Sequence, residues 1–172
     1  MELEYHNNLE GIFNNEEWEN LCDQCGICCF YKIEDADTHE ILISHVQCPF
    51  LISTSGICQN YTNRFKLMKT CIKISPESLY KTHLWLPRHC AYRCIYEGRH
   101  LPEWHKLFSI KNNNNDSSLI QKIDKLTVLP AYSRMMNWRE IIKFRKNSIL
   151  PDSKYSLDDQ IIKNIVDDNR II

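Results

Sequence analysis

The feature that most constrains this chain is a run of four cysteines within eight residues, Cys22-Asp-Gln-Cys25-Gly-Ile-Cys28-Cys29. Two cysteines separated by two residues can direct both sulfurs to one metal ion, which is why this spacing recurs in zinc sites. Three cysteines in succession at this spacing also resemble the run that holds three corners of an iron–sulfur cluster. Gly26 can supply a tight turn between ligands. The run therefore predicts a metal centre.

Four further cysteines follow along the chain: Cys48, Cys58, Cys71 and Cys90. The resulting eight thiols could fill two tetrahedral four-cysteine zinc sites, or hold one four-iron cluster and one other metal. Soft thiolates suit both zinc and iron–sulfur centres, so the spacing does not choose between them. Because Cys28 and Cys29 are adjacent, their side chains point in different directions. One of them could face a second site or act as a free nucleophile.

The cysteine content also bears on the cellular compartment. A chain of 172 residues can bury a core of its own, so its nine cysteines are not needed as disulfide staples. The first residues lack the basic and apolar regions of a signal peptide, and no window is apolar enough for a transmembrane helix. We therefore expect a cytoplasmic protein with no membrane partner and with reduced thiols. In that setting, clustered cysteines indicate metal binding or catalysis before disulfides.

Charge argues against a nucleic-acid partner. The formal net charge is −1, and the first 40 residues carry eleven acidic residues against one basic residue, Lys32. Such a segment repels phosphate backbones, which disfavours a zinc-finger function. A basic group in or beside one predicted C-terminal helix is interpreted as a solvated helix face: Arg134, Arg139, Lys143, Arg145 and Lys146. The metal ion is thus the expected partner, and no protein partner is indicated.

Local patterns predict an α+β fold: a small, irregular, metal-stabilised cysteine-cluster domain with short strands and a helical C-terminal part. The predicted helices are a short one capped by Asn14 or Asn15, one starting at Ser75-Pro76-Glu77, one over 89–97 closed by Gly98, one over 137–146, and one over 157–168 with Ser156 and Asp159 as a capping box. The predicted strands are 40–46 and 123–129.

The chain is expected to have two functional regions. All nine cysteines fall between Cys22 and Cys94, so residues 1–110 are predicted to be the cysteine-cluster metal-binding region. Residues 111–172 are predicted to be a polar loop, around Asn112–Asn115 and Asp116-Ser117-Ser118, followed by helices that pack on the same domain.

The segment 22–29 resembles the signature of the CxxCxxCC family, the YkgJ-like proteins described as zinc- or iron-chelating. Further segments are similar to its YcgN subgroup: Trp18–Asp23, Asp35–Thr38, Val46–Cys48, Cys58–Phe65, Ser75–Glu77, Trp85–Pro87, Cys90–Arg93 and Glu97–His105. The resemblance implies that eight cysteines are the metal ligands: Cys22, Cys25, Cys28, Cys29, Cys48, Cys58, Cys71 and Cys90. Cys94 is not part of this pattern and is interpreted as a buried residue.

The function implied is that of an uncharacterised bacterial family that binds zinc or iron, the latter as an ion or an iron–sulfur cluster. One alternative is a metal- or cluster-dependent protein-modifying enzyme similar to the flagellin N-methylase relative of the broader family. A second alternative is a thiol redox sensor. No methyl-donor pocket is evident in the sequence, and the four glycines do not have the spacing of a P-loop or a dinucleotide-binding turn.

Two residues after Cys58 are candidate supports for a metal or cofactor. Arg64 could donate hydrogen bonds to cluster sulfurs or to an anionic ligand, with Tyr61 three residues before it. The alternative is a surface arginine stacked on Tyr61. The histidines at 39, 45, 83, 89, 100 and 105 could also be ligands, but with eight cysteines present they are expected to be structural. His89 beside Cys90 is the best exception.

Overall fold

Short helices and two small antiparallel sheets make up the computed structural model, which describes residues 6–109, 114–167 and 171–172. The helices are α1 (Asn15–Asn20), α2 (Arg64–Leu67), α3 (Leu79–Thr82), α4 (Ala91–Tyr96), α5 (Lys106–Ser109), α6 (Asn114–Leu126), α7 (Trp138–Lys146) and α8 (Leu157–Lys163). The strands are β1 (Phe30–Glu34), β2 (Ile41–Gln47), β3 (Leu51–Ile52) and β4 (Ile57–Cys58). This combination confirms the predicted α+β class.

The chain forms two compact units, each built from segments that are distant in sequence. The first unit comprises Met1–Asp23 and Ile74–Met135, and the second comprises Gln24–Lys73 and Met136–Ile172. Helices α1 and α3 to α6 belong to the first unit, while the four strands and the other helices belong to the second. The functional regions 1–110 and 111–172 stay a prediction.

In the first unit, α1 begins as the sequence predicts. The Asn14 side chain accepts a hydrogen bond from the Glu17 N–H, and the Glu17 carboxylate accepts one from the Asn14 N–H, which forms a capping box. One turn later, Trp18 is buried, and the centroid of its ring lies 4.7 Å from the ring centroid of Tyr92. The Tyr92 hydroxyl donates to the Trp18 carbonyl at 3.0 Å. This contact ties α1 to α4.

Helix α4 also follows its sequence prediction. Cys90 is the N-cap residue, and Gly98 follows the helix with a φ of +68°. A positive φ is readily adopted by glycine, which is why glycine ends helices in this way. Helix residues 91–95 are all buried, so α4 is a central element of the first unit.

The second unit is built on the antiparallel pair β1–β2. The strands pair with Lys32 opposite Ile43, and an irregularity lies between Phe30 and Lys32. Helix α7 covers this sheet, since the Phe144 ring lies 4.8 Å from that of Phe30 and 4.7 Å from that of His45. As predicted, α7 starts at a capping box between Asn137 and Glu140. Helix α8 packs on both strands.

Three local predictions differ from the structure. The predicted strand 123–129 is helical as far as Leu126, because Leu119 and Ile123 are buried at the four-residue spacing of one helix face. Helix α6 begins at Asn114, within the segment predicted as a polar loop; Asn112 and Asn113 lie outside the described residues. Helix α8 is also shorter than predicted. It ends at Lys163, and Ile165 instead pairs with Ser44 of β2.

Candidate metal centre

The eight predicted ligands are divided between the two units. Six belong to the second unit: Cys25, Cys28, Cys29, Cys48, Cys58 and Cys71. Cys22 and Cys90 belong to the first unit, as does Cys94.

Backbone contacts in the second unit bring distant cysteines toward the CxxCxxCC run. Gly26 adopts a φ of +75°, and a 3₁₀ turn over Ile27–Cys29 follows it. The Cys48 N–H then donates to the Cys29 carbonyl at 2.8 Å. In the next hairpin, β3 and β4 pair Leu51 with Cys58. These contacts place residues 28, 48 and 58 in one neighbourhood, although thirty residues separate the first from the last.

Five thiols of this unit interact electrostatically. Four of them, each from a different part of the chain, are called the thiol cluster here: Cys28, Cys48, Cys58 and Cys71. The fifth, Cys29, interacts with Cys28 and Cys48. Cys71 interacts with each of the other three, and Cys48 interacts with Cys28 and Cys58. All four residues are half-buried. The four thiols of the cluster come from four separate chain segments and lie in one region of the second unit, and four is the ligand number of a structural zinc site or an iron–sulfur cluster.

Burial raises the pKa of two of these thiols and so disfavours the thiolate form, whereas some neighbouring groups lower that pKa. Burial raises the pKa of Cys48, while the neighbouring backbone at Phe50 and Leu51 lowers that pKa. The Leu51 N–H donates to the Cys48 carbonyl at 3.0 Å. Burial also raises the pKa of Cys71, against the opposing charge of Arg64. Hydrogen bonding to Cys28, followed by burial, raises the pKa of Cys29. A cation that binds these sulfurs would offset the burial penalty, since a coordinating thiol is deprotonated outright.

The thiols match zinc or iron in ligand type and in number, but their side chains do not surround a single point. Within residues 6–109, 114–167 and 171–172, no three His, Cys, Asp or Glu side chains are grouped closely enough to hold an ion as they stand. Cysteine sulfurs move between staggered positions by rotation about one bond. The neighbourhood is thus set by the backbone, while convergence on an ion requires side-chain rotation.

Arg64 and Tyr61 lie at the edge of the thiol cluster. The Arg64 guanidinium lies 3.7 Å from the Tyr61 ring centroid and 4.3 Å from that of Phe65, and it donates to the Tyr61 carbonyl at 2.7 Å. The stacked arrangement considered from the sequence is therefore present. The same charge interacts with Cys71. A role of Arg64 toward cluster sulfurs stays a prediction.

Arg145 of α7 is a component of this region that the sequence analysis placed on a solvated face. That interpretation was wrong for Arg145, which is 2% exposed. Its Nη1 donates to the carbonyls of Gln24 and Cys25 at 3.3 and 3.2 Å, and its Nη2 donates to the Thr54 carbonyl at 3.3 Å. Spacing within α7 offers a signal, because Ile141 and Arg145 are four residues apart on one face. Arg145 links the CxxCxxCC run to the β3–β4 turn.

The backbone of the run needs this support. Gln24 has a φ of +59°, a conformation that costs a non-glycine residue free energy. Gly56, with a φ of +77°, packs so closely that a side-chain carbon there would overlap the Gln24 carbonyl and the Arg145 guanidinium. The arginine thus stabilises a strained turn between two predicted ligands.

In the first unit, His89 stands out beside Cys90. It is fully buried, and neither ring nitrogen has a hydrogen-bond partner among the described residues. Its ring lies 5.6 Å from that of Trp104, and burial lowers its pKa to about 4, against the charge of Asp23. A buried imidazole in this state is neutral, which is the form that binds metals. His89 can therefore serve as a metal ligand beside Cys90.

The other notable first-unit groups are satisfied. His105 is fully buried, its Nε2 lies 3.0 Å from the Leu21 carbonyl, and its Nδ1 accepts from the Leu107 N–H. This holds the chain just before Cys22. Cys94 is fully buried and donates to the Arg88 carbonyl at 3.2 Å. Burial raises the pKa of Cys94 to about 12, which fits its interpretation as a buried residue.

Comparison with known proteins adds independent information. The profile of a family named CxxCxxCC and described as "Putative zinc- or iron-chelating domain" matches residues 21–91. This segment contains all eight predicted ligands. No solved structure matches the chain at a significant level.

Curated relatives are UPF0260 proteins of bacteria. One from Yersinia enterocolitica is 39% identical over 129 residues, which cover 75% of this chain and 84% of the relative. One from Vibrio vulnificus is 44% identical over 94 residues, covering 55% and 64%. One from Yersinia pestis is 48% identical over 96 residues, covering 56% and 64%. In the last two cases, the match spans just under two thirds of the relative.

Proposed function

Because this chain belongs to the UPF0260 family of CxxCxxCC proteins, we propose that it binds zinc or iron through the thiol cluster of its second unit. The observation that carries this proposal is the mutual electrostatic interaction of Cys71, Cys48, Cys28 and Cys58. Membership in a family described as zinc- or iron-chelating follows from the similarity to known proteins.

The neighbouring groups support thiolate ligands. The backbone at Phe50 and Leu51 lowers the pKa of Cys48, and neighbouring backbone groups of this kind stabilise a metal-bound thiolate. The positive charge of Arg64 acts on Cys71, and the buried positive charge of Arg145 lies at the Gln24–Cys25 carbonyls. Both cations favour a region that carries the negative charge of several thiolates.

Either zinc or an iron–sulfur cluster could be bound by four such thiolates, and the two are distinguished by the absorption spectrum and the sulfide content of the protein. Zinc gives a colourless protein, whereas a cluster gives acid-labile sulfide and a broad absorption near about 400 nm. Helices in the described part of the chain are all too short or too polar to cross a membrane. A cytoplasmic location, where thiols are reduced, is part of the proposal.

The test is metal analysis of anaerobically purified protein and of two cysteine variants. Cys48→Ser should lower the metal content of the chain, because it removes a member of the thiol cluster. Cys94→Ala is the matched control and should retain the metal, since Cys94 is buried and bonded to a backbone carbonyl. Full metal content in Cys48→Ser and in a second variant, Cys58→Ser, would overturn the proposal.

Folding must be monitored in parallel, because metal binding and folding are coupled when ligands close long loops. A chelator titration of the wild-type chain, followed by circular dichroism, separates the two effects. We expect metal release and loss of stability to coincide. A chain that folds equally well with no metal, and takes up none when zinc or ferrous iron and sulfide are supplied, would contradict the assignment.

A further inference from the structure

Lys32 of β1 is the only lysine or arginine among the first 40 residues, and its side chain turns back onto the CxxCxxCC run. Its ammonium group donates to the Ile27 carbonyl at 3.0 Å, to the Phe30 carbonyl at 2.9 Å and, in a longer contact, to the Cys28 carbonyl at 3.4 Å. These carbonyls belong to the 3₁₀ turn of the run and to the residue that follows it. The lysine thus ties together the backbone of the turn that carries Cys28.

The strand places Lys32 where this contact can form. Side chains two residues apart in a strand lie on the same face, so Lys32 shares the face of the buried Phe30. Lys32 is itself half-buried. A lysine can bury its aliphatic stem while its ammonium reaches polar groups, which here are the last carbonyls of the turn. Cations are favoured at this end of a helical turn, because its last carbonyls lack partners within the turn.

The turn held by Lys32 continues the segment that Arg145 holds. Arg145 donates to the carbonyls of Gln24 and Cys25, and Lys32 donates to the three carbonyls described above. Gly26, with a φ of +75°, lies between these two groups of carbonyls. Two cationic side chains therefore restrain the backbone of the run on either side of its glycine.

The positive charge of Lys32 also reaches the thiols. It acts on Cys29, which in turn interacts with Cys28 and Cys48 of the thiol cluster. Four thiolates around one zinc ion leave a net charge of about −2, so a fixed positive charge beside them stabilises the metal-bound state. Lys32 thus acts on the predicted ligands in two ways, through the backbone that carries them and through its charge.

We propose that Lys32 is a positioning residue of the metal site: it holds the backbone from which Cys28 and Cys29 project, and it offsets the negative charge of the bound thiolates. This inference rests on the proposed function. Lys32 does not itself bind the metal. Residues that orient metal ligands from outside typically change metal affinity by about 10- to 100-fold when they are replaced.

The test is an anaerobic zinc titration of the metal-free, fully reduced chain in competition with a chromophoric chelator. Lys32→Met keeps the aliphatic stem but removes the donors and the charge, and it should weaken zinc binding about 10- to 100-fold. Lys32→Arg keeps the charge and several donors and should restore most of the affinity. Lys163→Met changes an exposed lysine of α8 in the same unit; it is the matched control and should leave the affinity unchanged.

Two further measurements separate positioning from a general loss of stability. In the metal-free chain, the Cys29 N–H donates to the Gly26 carbonyl at 3.0 Å, and it should exchange with solvent faster in Lys32→Met than in the control. If Lys32→Met folds poorly, Lys32→Gln keeps a donor without the charge and should bind zinc more weakly than Lys32→Arg.

Equal zinc affinity in the wild-type chain, Lys32→Met and Lys32→Gln would overturn the inference and leave the proposed function standing. A lower Tm of Lys32→Met with unchanged zinc affinity would overturn it as well, because that result would show a purely structural role. If the wild-type chain binds neither zinc nor an iron–sulfur cluster, the proposed function fails and the inference fails with it.

Discussion

Replacing Arg145 tests whether one buried cation holds the CxxCxxCC run in place. In Arg145→Met, a side chain of similar length fills the space but donates no hydrogen bonds. The three carbonyls that Arg145 bonds, those of Gln24, Cys25 and Thr54, then lose these hydrogen bonds. One of the three residues, Gln24, has a φ of +59°.

The expected loss follows from those contacts. Leaving the buried Cys25 carbonyl without this donor costs about 1 kcal/mol, the lower end of the usual range, because the bond is 3.2 Å long. Gln24 and Thr54 are exposed residues whose carbonyls water can reach, so each of their bonds contributes only about 0.5 kcal/mol. Removing a buried charge offsets part of this loss, so about 1–2 kcal/mol is expected. For a chain of this size, that corresponds to a fall in Tm of roughly 2–8 °C.

The assay is thermal unfolding of the full chain followed by circular dichroism, at fixed metal content because a bound metal shifts Tm. The control is Arg139→Met, which changes an exposed arginine of the same helix and should alter Tm by no more than about 2 °C. Arg145→Lys keeps the charge without the fork and should fall between the two. If Arg145→Met and Arg139→Met unfold at the same temperature, the arginine does not support the run.

Three other predictions follow from single contacts. Gly56→Ala should destabilise the chain by about 1–3 kcal/mol more than Gly11→Ala. Both glycines have a positive φ, but only a side-chain carbon at position 56 would overlap the Arg145 guanidinium. Equal Tm values for the two variants would contradict this prediction. Asn137→Ala removes the α7 cap and should cost about 1 kcal/mol in urea unfolding, and an unchanged midpoint would speak against the capping box. Burial lowers the pKa of His45 below its unfolded value of about 6.5, so the unfolded state binds more protons and stability should fall as pH drops below about 6.5. His45→Phe should lose less Tm than wild type between about pH 7.5 and about pH 5.5, and an equal loss would refute the attribution.

Local sequence patterns were sufficient for elements whose signals are short-range. The Asn14 and Asn137 caps, the Gly98 helix end and strand β2 were predicted because each depends on residues within one or two turns. The strand predicted over 123–129 failed because its apolar residues were read without Leu119, whose burial continues the helical face of α6. Periodicity over a longer window decides between the two structures.

The ligand types could likewise be read from the cysteine pattern, since thiol chemistry and CxxC spacing are local properties. The cysteine pattern does not show which thiols are neighbours in the folded protein. The chain between Cys29 and Cys71 returns through two hairpins and α2, and only their pairing places Cys28, Cys48, Cys58 and Cys71 in mutual interaction.

From the amino-acid sequence one can predict a thiol-based metal site, the family and most helix ends. Only the tertiary structure shows that Arg145 is buried and that the His89 ring nitrogens have no hydrogen-bond partner among the described residues. The physical reason is that, judged from the neighbouring sequence, a charged or hydrogen-bonding side chain is expected to be solvated on the surface. Whether it is buried depends on segments far apart in sequence, which exclude water around it and leave it with few hydrogen-bond partners.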